Sequence, residues 1–167
     1  AALGFENIMR NNLVEVDKQT TGTVYAIYLN NAGYTNCFHN TVSIDDKNIS
    51  GSKTVYGVYG YGTNLFFRNN NISISDMGTG TRYGLYFNST WGNGNSNGNN
   101  IYVNAASATN YIGYYIGTLA ASLPAWQGVN GFDANSFSTD PLFVNPIGND
   151  YMPASYVMNN GGLALGV

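Results

Sequence analysis

Apolar and polar residues alternate along this chain in short bursts, and the bursts recur. Each begins with asparagine: Asn11-Asn12-Leu13-Val14-Glu15-Val16, Asn40-Thr41-Val42-Ser43-Ile44, Asn70-Asn71-Ile72-Ser73-Ile74 and Asn99-Asn100-Ile101-Tyr102-Val103. The apolar pairs Val14/Val16, Val42/Ile44, Ile72/Ile74 and Ile101/Val103 flank Glu15, Ser43, Ser73 and Tyr102. A period of two marks strands with one buried face. A second motif follows each first: Val24-Tyr25-Ala26-Ile27-Tyr28-Leu29, Val55-Tyr56-Gly57-Val58-Tyr59-Gly60, Arg82-Tyr83-Gly84-Leu85-Tyr86-Phe87 and Tyr111-Ile112-Gly113-Tyr114-Tyr115-Ile116. Aligned on Tyr28, Tyr59, Tyr86 and Tyr115, the copies lie 31, 27 and 29 residues apart. Aligned on Asn12, Asn40, Asn70 and Asn99, they lie 28, 30 and 29 apart. A shorter apolar piece precedes the asparagine: Ile8-Met9, Cys37-Phe38 and Leu65-Phe66-Phe67, replaced in the fourth copy by Asn95-Ser96-Asn97-Gly98.

Repeats of this length point to a solenoid. No sustained three- and four-residue apolar spacing leaves room for a helix inside them. The expected fold is all-β: a parallel β-helix of about four rungs of 27–31 residues over positions 1–118, with a C-terminal rung or cap over 119–167 of the same domain. Each strand then pairs with its equivalent one rung away, about 4.8 Å distant. Like residues stack on like, and the asparagines are expected to form an internal amide ladder at a bend. His39 falls at that bend, Cys37 aligns with Met9 and Phe67 as a buried apolar residue, and Trp126 and Phe143 are expected to plug the open end.

The columns place two candidate sites. If Ile27, Val58, Leu85 and Tyr114 face the core, then Tyr28, Tyr59, Tyr86 and Tyr115 point outward, beside a trough of Ala26, Gly57, Gly84 and Gly113. Sugar rings pack on aromatic faces, so this column is a candidate carbohydrate site, with stacking that merely protects the sheet, or a subunit interface, as the alternatives. Polar segments of varying length join the two motifs, and in them Asp17, Asp45, Asp46 and Asp76 come to one edge. Hard oxygen ligands on neighbouring turns suit Ca²⁺; turn-forming carboxylates paired with lysines are the plainer alternative. Lys18, Lys47, Lys53 and Arg82 lie in the same segments without forming a motif. His39 stands alone, so a histidine dyad or histidine-based metal site is not expected.

Composition narrows the partners. Charged residues make up 9%, against 44% hydrophobic, with 21 glycines and 14 tyrosines. That is enough apolar matter for a core, with solubility left to amides and hydroxyls, as in turn-rich extracellular proteins. A net charge of −3 with six Lys and Arg argues against nucleic acid. No apolar run is long enough for a membrane-spanning helix, and the single Cys37 permits no intrachain disulfide. The ends, Ala1-Ala2-Leu3-Gly4-Phe5 and Gly161-Gly162-Leu163-Ala164-Leu165-Gly166-Val167, read as cut from a longer chain.

After Leu119 the text changes to L-x-x-W (Leu123–Trp126), G-x-D-x-x-S (Gly131–Ser136), D-P-L-F-V-x-P (Asp140–Pro146) and D-Y-x-P (Asp150–Pro153). This order resembles the C-terminal end of right-handed parallel β-helix repeat proteins of the pectate-lyase-like superfamily, among them large secreted surface proteins of gliding and polymer-degrading bacteria. The resemblance spans essentially the whole chain. It implies right-handed coiling and a secreted or cell-surface protein acting without catalysis, as an adhesin stalk or carbohydrate-binding solenoid. Its partners would be a polysaccharide or surface glycan, and secretion machinery or flanking domains of the same chain. No cofactor is expected beyond Ca²⁺ at the carboxylates. The runner-up is a fragment of a polysaccharide lyase or glycoside hydrolase, since pectate lyases hold Ca²⁺ with such carboxylates and abstract a proton with a nearby Arg or Lys. A third reading is a purely structural filament or secretion-passenger spacer.

Overall fold

A computed structural model describes residues 6–16, 22–46, 51–90, 95–158 and 161–162. In chain order the strands are β1 (Asn7–Arg10), β2 (Leu13–Val16), β3 (Gly22–Phe38), β4 (Thr41–Ile44), β5 (Ser52–Arg68), β6 (Asn71–Ile74), β7 (Thr79–Phe87), β8 (Ser96–Asn97), β9 (Asn100–Val103), β10 (Thr109–Tyr115) and β11 (Thr118–Ala120). Helix α1 (Leu123–Asn130) follows, then β12 (Phe143–Asn145) and β13 (Asp150–Pro153). The Asn-led strands form a parallel sheet in the order β2-β4-β6-β9, and the tyrosine motifs and short apolar pieces form another in the order β1-β3-β5-β7-β10. In β3 and β5 the tyrosine motif and the short apolar piece lie on one long strand that bends between them. The result is the expected parallel β-solenoid, with about three turns rather than four. The last rung ends in β10, against which β11 turns back antiparallel.

The core lies between the sheets. Val42, Ile44, Ile72, Ile74 and Ile101 face Val55, Val58, Leu85 and Phe87, all buried. Each such side chain contributes about 1.5–3 kcal/mol through removal from water. Cys37 is sealed in the same core, in register with Met9 and Phe67.

The aligned asparagines form the ladder. Asn12 donates through both its backbone N–H and Nδ2 to Oδ1 of Asn40, at 3.1 and 2.8 Å. Asn40 repeats this to Asn70 (2.9 and 2.9 Å), and Asn70 to Asn99 (2.9 and 3.1 Å). Each Nδ2 also reaches a carbonyl of the chain at the bend, as Asn70 does to Cys37 and Arg68. The residue before each asparagine takes a positive φ there: Asn11 (57°), His39 (55°), Asn69 (56°) and Gly98 (67°). An L-residue adopts that conformation at a cost, least for Asn.

The ladder ends on Asp133. Its buried carboxylate accepts from Asn99 Nδ2 (2.8 Å), Ser96 Oγ (2.8 Å), Trp126 Nε1 (2.7 Å) and Ser136 Oγ (2.6 Å). Four donors, one of them the last of an aligned amide series, stabilise a charge that burial would otherwise penalise. Trp126, on α1, closes the core. Its ring occupies the space that a Cβ on Gly113 would take. The fourth copy reverses the usual small-apolar order, reading Ile112-Gly113 where the others read Gly57-Val58 and Gly84-Leu85, and so leaves a hole where the indole enters. The plug is therefore Trp126 with Phe132, both fully buried. Phe143, expected to share that role, instead packs edge-on against Tyr151 within the β12–β13 hairpin.

Replacing Asn70 with Ala leaves the buried backbone N–H of Asn40 without its acceptor and removes the side-chain bonds to Asn99 Oδ1 and to the carbonyls of Cys37 and Arg68. A loss of about 3 kcal/mol or more in denaturant-unfolding free energy is expected, whereas Asn12→Ala, at the half-exposed end, should cost clearly less.

Candidate functional site

The tyrosine face is wider than a single column. Register pairs Tyr28 with Tyr59, Tyr59 with Tyr86 and Tyr86 with Tyr114, and beside these Tyr25 with Tyr56, Tyr56 with Tyr83 and Tyr83 with Tyr111. Eight rings stand in two columns three residues apart. Tyr115 does not belong: it pairs with Phe87 and packs edge-on against Phe132 of the plug, 5.1 Å away. The fourth copy carries adjacent tyrosines, and the two-residue alternation expected of the strand selects the wrong one. The same assumption misplaces the small residues. Gly57 and Val58 both turn inward, so that a Cβ on Gly57 would strike Ile72 and one on Gly84 would strike Ile101. The column of Tyr25, Tyr56, Tyr83 and Tyr111 is nonetheless visible as Tyr-x-x-Tyr in every copy.

The rings face one another. Along the second column they stack at 5.0 Å (Tyr28–Tyr59), 5.4 Å (Tyr59–Tyr86) and 4.1 Å (Tyr86–Tyr114), with planes within 28° of parallel. Along the first they stack at 4.7, 5.2 and 5.5 Å. Across the columns, Tyr56–Tyr86 and Tyr56–Tyr59 meet edge to face. Such pairs contribute about 0.5–1.5 kcal/mol each beyond their area. A sugar, however, needs a ring face, and the interior rings have theirs covered above and below. Only at the end of the columns are rings open, Tyr25 at 43% and Tyr28 at 53% exposure. Elsewhere the face offers ring edges and hydroxyls.

The acidic column is divided. Asp17 lies outside the described residues. Asp46 and Asp76 are buried and face cations: Lys53 Nζ lies 2.6 Å from Asp46 Oδ2 and 3.2 Å from Asp76 Oδ2, and Arg82 Nε lies 2.7 Å from Asp76 Oδ1. Lys53 and Arg82, expected in variable loops, sit on β5 and β7 with their side chains turned inward. Arg82 also donates to the carbonyls of Lys53 (2.7 Å), Thr79 (3.1 Å), Met77 (3.2 Å) and Gly78 (3.2 Å), tying two turns together. The candidate calcium ligands Asp46 and Asp76 are thus neutralised by side chains of the same chain. Asp45 precedes them, half-buried. Among the described residues, no group of three or more His, Cys, Asp and Glu is placed to hold a metal ion.

Removing one member of this quartet leaves a buried charge unpaired. Arg82→Ala is expected to lower unfolding free energy by about 3–5 kcal/mol, and Arg82→Lys to restore little of it, because an ammonium cannot reach the same fan of carbonyls.

Burial also sets the alkaline behaviour. It pushes the Cys37 thiol up from 9.0 to about 12. It raises Tyr56, Tyr83 and Tyr86 above 10.0, helped by repulsion between neighbouring phenolates and, for Tyr86, by a hydrogen bond with Tyr114. Between pH 9.0 and about 12 the unfolded chain sheds protons that the folded chain keeps. Stability is full below that window and falls as pH rises through it. Denaturation midpoints measured against pH should decline there, and a thiol reagent at pH 9 should label Cys37 only on unfolding; labelling at the rate of a free thiol would contradict the buried placement.

No helix among the described residues is long and apolar enough to cross a membrane. Compared with known proteins, the chain matches no family model, no curated protein and no solved structure.

Proposed function

We propose that this chain is a non-catalytic, rigid β-solenoid of a secreted or cell-surface protein: a stalk that also holds on to a polysaccharide. In this reading it is a distant relative of the pectate-lyase-like right-handed β-helices that has kept the coil and lost the chemistry. The observation that carries it is where the reactive side chains have gone. Asp46, Asp76, Lys53 and Arg82 are the groups a calcium-dependent lyase would need at its surface, and all four are buried in mutual ion pairs. The outer faces carry tyrosine, phenylalanine and asparagine, whose flat rings and amides suit sugars and not acid–base catalysis. The stacked tyrosines serve stiffness more than binding, because their faces are spent on one another.

Incubation with insoluble cellulose, chitin and pectin tests this. The chain is expected to leave solution with at least one polymer and to release no reducing ends or unsaturated products with or without Ca²⁺. Calcium-dependent product would return the lyase reading. Retention on no polymer would leave a stalk alone.

A further inference from the structure

The outer face of the short apolar pieces differs from the tyrosine ladder in one respect: its rings are not stacked. Along β3 the side chains of Thr35 and Cys37 enter the core, so Tyr34, Asn36 and Phe38 face out; along β5, Leu65 and Phe67 enter and Asn64, Phe66 and Arg68 face out. Parallel register sets Asn36 beside Phe66 and Phe38 beside Arg68. Together with Glu6, the residues Tyr34, Asn36, Phe38, Asn64 and Phe66 line a groove of about 340 Å³, near the lower end of the range of about 300–1,000 Å³ typical of small-ligand sites. Among the described residues, none of its three rings pairs with another ring; Phe66 meets only the Arg68 guanidinium, 5.4 Å from its centroid.

Tyr34 adds an independent sign. Its φ is +50°, a left-handed conformation that a bulky side chain adopts only under compulsion. The corresponding corner one rung on is Asn64, at φ +55°, where asparagine fits at little cost. A tyrosine at that corner strains the fold locally and places a phenol ring at the groove. Backbone strain of this kind is retained where it serves a site.

We propose that this groove binds a pyranose ring of a polysaccharide, with Tyr34, Phe38 and Phe66 as platforms for the sugar's C–H faces and the amides of Asn36 and Asn64 as partners for its hydroxyls. Apolar flats interleaved with amides match a pyranose, which carries both kinds of surface on one ring. The proposal rests on the polysaccharide reading above and moves its binding residues from the ladder to this face.

The test is a titration of the chain with soluble cello-, chito- and galacturono-oligosaccharides, followed by calorimetry, using wild type, Tyr34→Asn, Phe66→Ser and Tyr59→Phe. Saturable binding of at least one oligosaccharide is expected for wild type and Tyr59→Phe, with affinity falling about tenfold or more in Tyr34→Asn and Phe66→Ser. Tyr34→Asn should also raise the thermal midpoint or leave it unchanged, since it installs the residue its neighbouring rung already uses. That separates lost binding from lost fold. Wild-type binding that survives both groove substitutions would overturn the groove while leaving the polysaccharide reading standing. An absence of wild-type binding to all three oligosaccharides would overturn both, and a fall in midpoint for Tyr34→Asn would refute the strain argument.

Discussion

Everything in this solenoid depends on holding each rung in register with the next, and the hydrogen bond that enforces it is the doubled one between stacked asparagines. A slip of one residue would turn every inward side chain outward. The ladder forbids it, because Oδ1 of each asparagine must accept both the backbone N–H and the Nδ2 of the rung before. All its donors point one way, so it has an electrically positive end, and Asp133 stands there. The same carboxylate anchors the Trp126 indole. Register, core closure and the single buried carboxylate of the cap are one arrangement.

Charge is buried a second time on the other side of the coil, by a different solution. Asp133 is held by neutral donors, whereas Asp46 and Asp76 are held by Lys53 and Arg82. Ion pairs taken from water regain little net energy, but they tolerate no substitute at one partner. Their effect is therefore on shape: the turns following β4 and β6 are fixed to the starts of β5 and β7. With the ring stacks on the face between, the rungs are joined by amide, ionic and aromatic contacts in separate columns.

How legible this was in the chain depended on whether a residue acts through its own rung or through its neighbours. Strand alternation and the recurrence of Asn12, Asn40, Asn70 and Asn99 directly imply stacked strands, because side chains of one kind at one interval have nowhere else to meet. The choice between Tyr114 and Tyr115 was legible only in the Tyr-x-x-Tyr spacing from Tyr111, and strand alternation hides it, because two successive residues turn inward in each rung, Gly57-Val58, Gly84-Leu85 and Ile112-Gly113. Lys53 and Arg82 read as loop cations, because burial of a charge is visible only once its counter-charges are placed. Tyr34 carried no signal at all in composition or period. Its interest lies in a dihedral angle.

A stack of equal parallel rungs with open ladder bonds has the geometry of a fibre, repeating at the spacing between strands. Nothing in an individual rung tells it to stop. In this chain β11 turns back antiparallel across β10, the indole fills the next rung's place above Gly113, and the Ser136 hydroxyl and Asp133 carboxylate take the amide ladder's last two donors. A further asparagine arriving there would find no donor free. The cap thus limits growth as well as closing a core, and it spares the protein the polymerisation to which its own repeat inclines it.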